Sequence, residues 1–264
     1  MTKTKKNLLF LILWLLVLVL IILFSNGTLY KLYREVEFYF VDHTEAELAV
    51  KAYAQKHSVF YSDYPESLID LLERNPEAEQ FVLEYPLYEK TPYDLSEYAD
   101  SDTVPLFLQW DQRWGYETYG SDCIGITGCG PTCLAMVGYH LTGDSQFDPA
   151  QIARFAEESG YYAPGYGSSW TLISQGGVEL GLDVTELPLD EGVMEKHLKS
   201  GTPIICAMGP GHFTTAGHYI VLTGLEDGQF TVNDPNSRLN SEKLWSYDDI
   251  SGQIRNLWAI QKAN

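Results

Sequence analysis

The C-terminal part of this chain predicts an α+β domain, and three observations carry that expectation. Helical patterns come first, over 131–141, 149–159, 170–180 and 192–198. Strand-like runs follow, over 203–208, 218–225, 229–233 and 254–260. The turn signal Glu226-Asp227-Gly228 separates two of these runs, as in an antiparallel hairpin. Helices followed by an antiparallel sheet form segregated layers, with the first helix packed on the sheet.

Each element has a local reason. In the first helix Leu134, Val137 and Leu141 share one face, Pro131 suits the first turn, and Gly143 marks the stop. Asp148 caps the second helix. Gly181 ends the third, and Gly201 lies just beyond the fourth. The run 203–208 is wholly apolar, as in a buried strand.

Upstream of Val104 the texture differs. Residues 44–57 look helical, with Leu48, Ala49, Ala52 and Tyr53 among Glu and Lys. A second helix begins near Pro65, repeats Leu68, Leu71 and Leu72 at helical spacing, and stops before Pro76. A third, short helix spans 77–83, and the Tyr-, Glu-, Asp- and Pro-rich residues 84–101 read as a linker. The expected organisation is a stub and membrane anchor over 1–25, a helical stalk and linker over 26–101, and a folded domain over 102–264.

The chain has 264 residues, 45% of them hydrophobic, enough for one packed domain of ~150 residues with additional elements. A net charge of −19 argues against nucleic-acid binding, which needs a local basic patch. The one dense basic cluster is Lys3, Lys5 and Lys6. It precedes an unbroken apolar run over 8–24, near the lower limit for crossing a bilayer. That run exceeds a signal-peptide core of ~7–15 residues, and no Ala-x-Ala site follows it. An uncleaved single-pass anchor is therefore favoured over a cleaved signal. Lysines before the run and acidic chain after it place the body outside the cytoplasm.

Candidate chemistry centres on Gly128-Cys129-Gly130-Pro131-Thr132. A cysteine at the mouth of a helix meets partial positive charge and free N–H groups, which favour thiolate. The flanking glycines leave room for a substrate carbonyl. The alternative is a buried cysteine in a glycine-rich turn. A thiolate nucleophile needs a base and a group that orients the base. His218 opens one strand of the hairpin, and Asp234 follows the other. A two-residue loop at Asp227-Gly228 places them on opposite faces. A three-residue loop, Glu226-Asp227-Gly228, places them on one face as diagonal neighbours. Gln109 and Gln112 both qualify chemically as side-chain donors to an oxyanion.

Of the other cysteines, Cys133 reads as a packed small side chain and Cys206 as core, while Cys123 lies in a loop and could pair with Cys133 or stay free. His212 sits in a glycine-rich loop and reads as a loop histidine rather than a cleft residue. Cys123, Cys129, Cys133 and His140 match no tetrahedral zinc spacing.

Four stretches, Gln109–Trp114, Gly128–Thr132, Gly217–Gly224 and Val232–Pro235, occur in order over about 104–260. Together they resemble the papain-like cysteine peptidases related to the bacterial double-glycine leader peptidases, numbered thirty-nine among cysteine-peptidase families. The likeness is to stand-alone domains of that group from Gram-positive bacteria. It implies a papain-like fold with Cys129 as nucleophile, His218 as base, Asp234 as the orienting acid, and Gln109 rather than Gln112 as oxyanion donor. It implies a peptide or protein substrate and no cofactor or metal. Leader peptidases sit on transporter subunits, whereas this sequence carries no nucleotide-binding motif, so leader specificity is not carried over. The rival expectations are a cell-wall peptide amidase or transpeptidase of similar thiol mechanism, and a catalytically silent peptide-binding module.

The topology has a direct test. The chain is expected to stay with membranes through a carbonate wash, and external protease should release the domain from protoplasts. A soluble product beginning near Asn26 would mean a cleaved signal instead.

Overall fold

The structure, a computed structural model, describes residues 12, 14–15, 17–22, 27–99 and 101–263. The expected anchor over 1–25 lies mostly outside the described residues. Among the described residues no helix is long and apolar enough to cross a membrane. By its contacts the chain divides into two units, Met1–Arg74 with Val82–Leu87, and Asn75–Phe81 with Tyr88–Asn264.

In the first unit the helices are α1 (Thr28–Glu37), α2 (Glu45–His57) and α3 (Glu66–Arg74). Thr44 caps α2 through a reciprocal box with Glu47, which satisfies two otherwise orphaned N–H groups. Leu68, Ile69, Leu71 and Leu72 of α3 are buried, together with Val50 and Ala54 of α2. Arg34 is buried as well, with its guanidinium donating to the Tyr64 carbonyl at 3.1 Å.

The second unit contains a six-stranded antiparallel sheet of order β5-β10-β6-β7-β8-β9, flanked by two small hairpins. The hairpins are β1 (Thr118–Tyr119) with β2 (Asp122–Cys123), and β3 (Tyr162–Ala163) with β4 (Gly167–Ser168). The sheet strands are β5 (Leu182–Glu186), β6 (Ile204–Met208), β7 (His218–Glu226), β8 (Gln229–Asn233), β9 (Leu244–Trp245) and β10 (Ile254–Lys262). Three longer helices join them: α4 (Cys129–Thr142), α5 (Pro149–Glu158) and α6 (Glu191–Lys199). The sequence therefore folds as the expected α+β domain with an antiparallel sheet.

Strand alternation sorts the core into two clusters. Ile205, Ala207, Tyr219, Val221, Trp258 and Ile260 pack with Leu134, Met136 and Val137 of α4. Their alternates Ile204, Cys206, Ile220, Leu222, Leu257 and Ala259 pack with Met194 and Leu198 of α6. Burial on both faces explains why β6 reads as a continuous apolar run rather than an alternating one.

One expectation needs correction. The helix read over 170–180 is a wide π turn, Leu172–Gly176, followed by the single turn Gly177–Glu179. Gly176 and Gly177 weaken a helix by about 1 kcal/mol each. Both are held against neighbours, Tyr161 with Phe155 and Val184 respectively. Of the two loop lengths the sequence leaves open, the hairpin takes the two-residue one. Asp227 and Gly228 both take positive φ, 51° and 77°, as a type I′ turn requires. Register is restored further down, where the pairing slips between Leu222 and Gly224 and leaves Thr223 as a bulge. Below the bulge Leu222 pairs with Val232 and Val221 with Asn233, the register that a three-residue loop would have set. Asp-Gly is the preferred I′ pair, so the turn tightens and the strand absorbs the extra residue. Thr223 Oγ1 meets Thr231 Oγ1 there at 2.9 Å.

Gly138 offers a test of how α4 is packed. Alanine is favoured over glycine in a helix by about 1 kcal/mol. A Cβ at this position would fall 2.0 Å from Phe147 Cδ1, in a ring that is fully buried. Overpacking of about 1–3 kcal/mol should win, so Gly138→Ala should lower the melting temperature by several degrees. A rise would mean that α5 and its preceding loop yield freely.

Candidate active site

The first turn of α4 begins at Cys129 itself. Two glycines flank it for reasons of packing. A Cβ on Gly130 would lie 2.6 Å from Ser168 Oγ, and one on Gly128 would lie 2.6 Å from the Ile124 carbonyl oxygen. The glycines thus let β4 and the preceding turn close on the cysteine, in addition to any room they leave for a substrate. Ser168 Oγ and Tyr119 Oη share a hydrogen bond of 2.7 Å beneath this point.

Cys129 is partly exposed, whereas Cys123, Cys133 and Cys206 are buried, and all four thiols are free. Burial holds the Cys133 and Cys206 thiols well above the ordinary range and pushes Cys123 up to about 12. Buried protonated thiols are poor nucleophiles, so Cys129 is the one of the four suited to attack.

His218 is the first residue of β7, and Asp234 directly follows β8. The bulged register brings them together: His218 Nε2 lies 2.7 Å from Asp234 Oδ1. Both side chains are buried, Asp234 to 1% exposure. The Cys129 sulfur lies close enough to the imidazole to favour its charged form, and with Nε2 engaged by Asp234 the nitrogen left for it is Nδ1. Burial opposes a charge on His218, but the Asp234 carboxylate, its hydrogen bond and the Cys129 sulfur outweigh it. The pKa rises from 6.5 to about 10.

Asp234 accepts two further hydrogen bonds. The Asn236 N–H donates to Oδ1 at 2.8 Å, and Asn240 Nδ2 donates to Oδ2 at 2.8 Å. A buried carboxylate can remain ionised only with such partners. Asn233, the last residue of β8, donates instead to the Val104 and Pro105 carbonyls. Gln109 is 3% exposed, and its Nε2 donates to the Gly125 carbonyl at 2.8 Å, in the turn just before Cys129. That acceptor fixes the orientation of the amide, because a flip would set two oxygens against each other. Nε2 also reaches the Ile126 carbonyl at 3.5 Å, a longer contact that a stronger acceptor could displace. Gln112 is half-buried. His212 lies outside this group, exposed in its loop and with its ring against Trp245. Among the described residues no cluster of His, Cys, Asp or Glu could hold a metal ion.

Asn240 escaped the sequence reading, since an asparagine six residues beyond Asp234 carries no local mark. The Asp-Pro-Asn turn signal was its nearest cue.

The model of the Peptidase_C39 like family matches residues 101–263. The chain belongs to this family. All four candidate residues fall inside the matched span. Among solved structures, the C39-like chain is similar to the peptidase domain of Streptococcus ComA, a bi-functional ABC transporter involved in quorum sensing. Identity is 17%, coverage 56% of this chain and 99% of that one, and the TM-score 0.43. It is also similar to a putative C39-like peptidase from Bacillus anthracis, with 16% identity, coverage of 67% and 100%, and a TM-score of 0.35. No curated protein matches the chain.

The elevated His218 pKa gives a pH signature with a definite sign. Stabilisation by the His218–Asp234 pair is fully present below the ordinary imidazole value of 6.5 and is lost as pH rises through about 10. The melting-temperature gap between wild type and Asp234→Asn should therefore narrow on titration from about pH 6 to about pH 10. A gap that widens over that range would mean that His218 is buried neutral.

Proposed function

We infer that this C39-like protein is a membrane-anchored cysteine peptidase acting on peptide or protein substrates outside the cytoplasm. One observation carries the reading: a partly exposed thiol at a helix start lies beside an imidazole held by a buried carboxylate. In this mechanism the Cys129 thiolate attacks the scissile carbonyl carbon. The resulting oxyanion is met by the Cys129 N–H and by Gln109 Nε2, whose second proton turns from its long contact with the Ile126 carbonyl. His218 then gives its Nδ1 proton to the leaving amine. A water molecule, deprotonated by the same nitrogen, attacks the thioester and releases the acid and the thiolate. Asp234 keeps the other imidazole proton on Nε2 throughout, so that Nδ1 faces the sulfur.

The apolar run over 8–24 behind three lysines supports the anchor and the external location. A complete set of Gln, Cys, His and Asp supports an enzyme over a silent binding module, which needs none of the four together.

Peptide-library profiling of the full-length chain, run beside Cys129→Ala, tests the activity. Cleavage should disappear in the variant, and a thiol-reactive peptide electrophile should label Cys129. Failure to label would favour a binding module, and release of wall fragments without peptide cleavage would favour an amidase. Gln109→Ala should slow turnover by on the order of 10²–10³, and Gln112→Ala much less. The reverse order would transfer the oxyanion role to Gln112.

A further inference from the structure

The segment Asn75–Phe81 lies outside the span matched by the family, in a stretch that reads as stalk. Its contacts nevertheless place it in the same unit as the candidate site. Two of its side chains reach across about 160 positions of sequence to the turn that follows Asp234. The Glu77 carboxylate accepts from Ser237 Oγ at 2.6 Å, from the Arg238 N–H at 2.9 Å and from the Leu239 N–H at 3.3 Å. Asn75 Nδ2 donates to the Asn236 carbonyl at 2.6 Å.

These contacts grip the single helical turn Arg238–Ser241 at its N-terminal end, where N–H groups have no helical partner. Ser237 is the cap of that turn, accepting from the Asn240 N–H at 3.1 Å. Asn240 in turn donates to Asp234 Oδ2, and Ser241 Oγ accepts from the Asp234 N–H at 2.9 Å. The Gln109 N–H on the Pro235 carbonyl and Trp110 Nε1 on the Asn236 carbonyl hold the first residues of this loop. Its far half is held by Trp245 Nε1, which donates to the Asn240 carbonyl at 3.0 Å, by the Arg238 guanidinium over the Trp110 ring, and by Glu77, which gathers Ser237 Oγ and the Arg238 and Leu239 N–H groups where the turn carrying Asn240 begins.

The geometry points to Glu77 as a positioning residue for the carboxylate that orients His218, acting through Ser237, the turn Arg238–Ser241 and Asn240. Asn75 assists it on the Asn236 carbonyl. The segment Asn75–Phe81 is then a working part of the site rather than a spacer. This inference rests on Asp234 being the partner of the base.

Alkylation of Cys129 by iodoacetamide, followed against pH in the full-length chain, separates the two levels. A thiolate paired with imidazolium reacts far below the pKa of about 8.5 of a free thiol. Asp234→Ala should move the reactive limb to higher pH. Glu77→Ala should move it in the same direction and slow the reaction at about pH 5 roughly 10-fold, the scale of a small misplacement in a site. Glu77→Gln should recover most of that rate, since its amide can still accept from the Arg238 N–H and donate to Ser237 Oγ. Exposed Glu79→Gln should behave as wild type. If Asp234→Ala shifts the limb while Glu77→Ala and Asn75→Ala lower only the melting temperature, Glu77 is merely structural and the inference falls. If Asp234→Ala itself leaves the limb in place, the role of Asp234 falls and that of Glu77 with it. Should Glu77→Ala fail to fold, Asn75→Ala carries the test: a reactive limb moved to higher pH supports the inference, and a lower melting temperature with the limb in place overturns it.

Discussion

Asp234 is an aspartate at 1% exposure, and much of the surrounding architecture follows from keeping it charged there. Removing a carboxylate from water costs several kcal/mol even after relaxation, so the fold must return that cost in donors. Three arrive, from His218, Asn236 and Asn240. Each imposes a condition. The imidazole demands a register that sets the end of β8 beside the start of β7. The Asn236 N–H demands a tight turn at Asp-Pro. Asn240 demands that the chain complete a helical turn before it leaves for β9.

The same loop ties the two ends of the proposed reaction together. Asn233 holds the carbonyls of Val104 and Pro105, and the Pro235 carbonyl holds the Gln109 N–H. The amide proposed for the oxyanion and the carboxylate proposed to orient the base are therefore set by one stretch of backbone. Trp110 closes over that stretch, with its indole N–H on the Asn236 carbonyl and the Arg238 guanidinium above its ring. A shift in this loop would disturb base and oxyanion donor at once, which links the polar network to chemistry rather than to stability alone.

Placement of the thiol depends on packing of another kind. Helix α4 is buried along nearly its whole length, between the sheet and α5. Its first turn cannot drift, because Gly130 sits against Ser168 and Gly128 against Ile124. The sulfur is thus held by apolar contacts and the imidazole by polar ones, and the two systems meet where Cys129 lies beside His218.

What could be read without the structure was whatever is encoded within a few residues. Apolar spacing along 131–141, the cap at Asp148, and the Asp-Gly turn signal are local, and the corresponding helices and hairpin formed. Four motifs in order identified Gln109, Cys129, His218 and Asp234 as candidates, because each motif is contiguous. The tertiary structure decided the rest. Asp-Gly closed as a two-residue turn, and only the bulge at Thr223 put His218 and Asp234 on speaking terms, since pairing across both flanking strands selects the register. Strand β5 has mostly polar, exposed side chains and gained its place by pairing with β10. Glu77 and Asn240 look like ordinary surface residues in the sequence. Their meaning arises from a turn folded beneath Asp234, and no local pattern records which distant backbone N–H a carboxylate will meet.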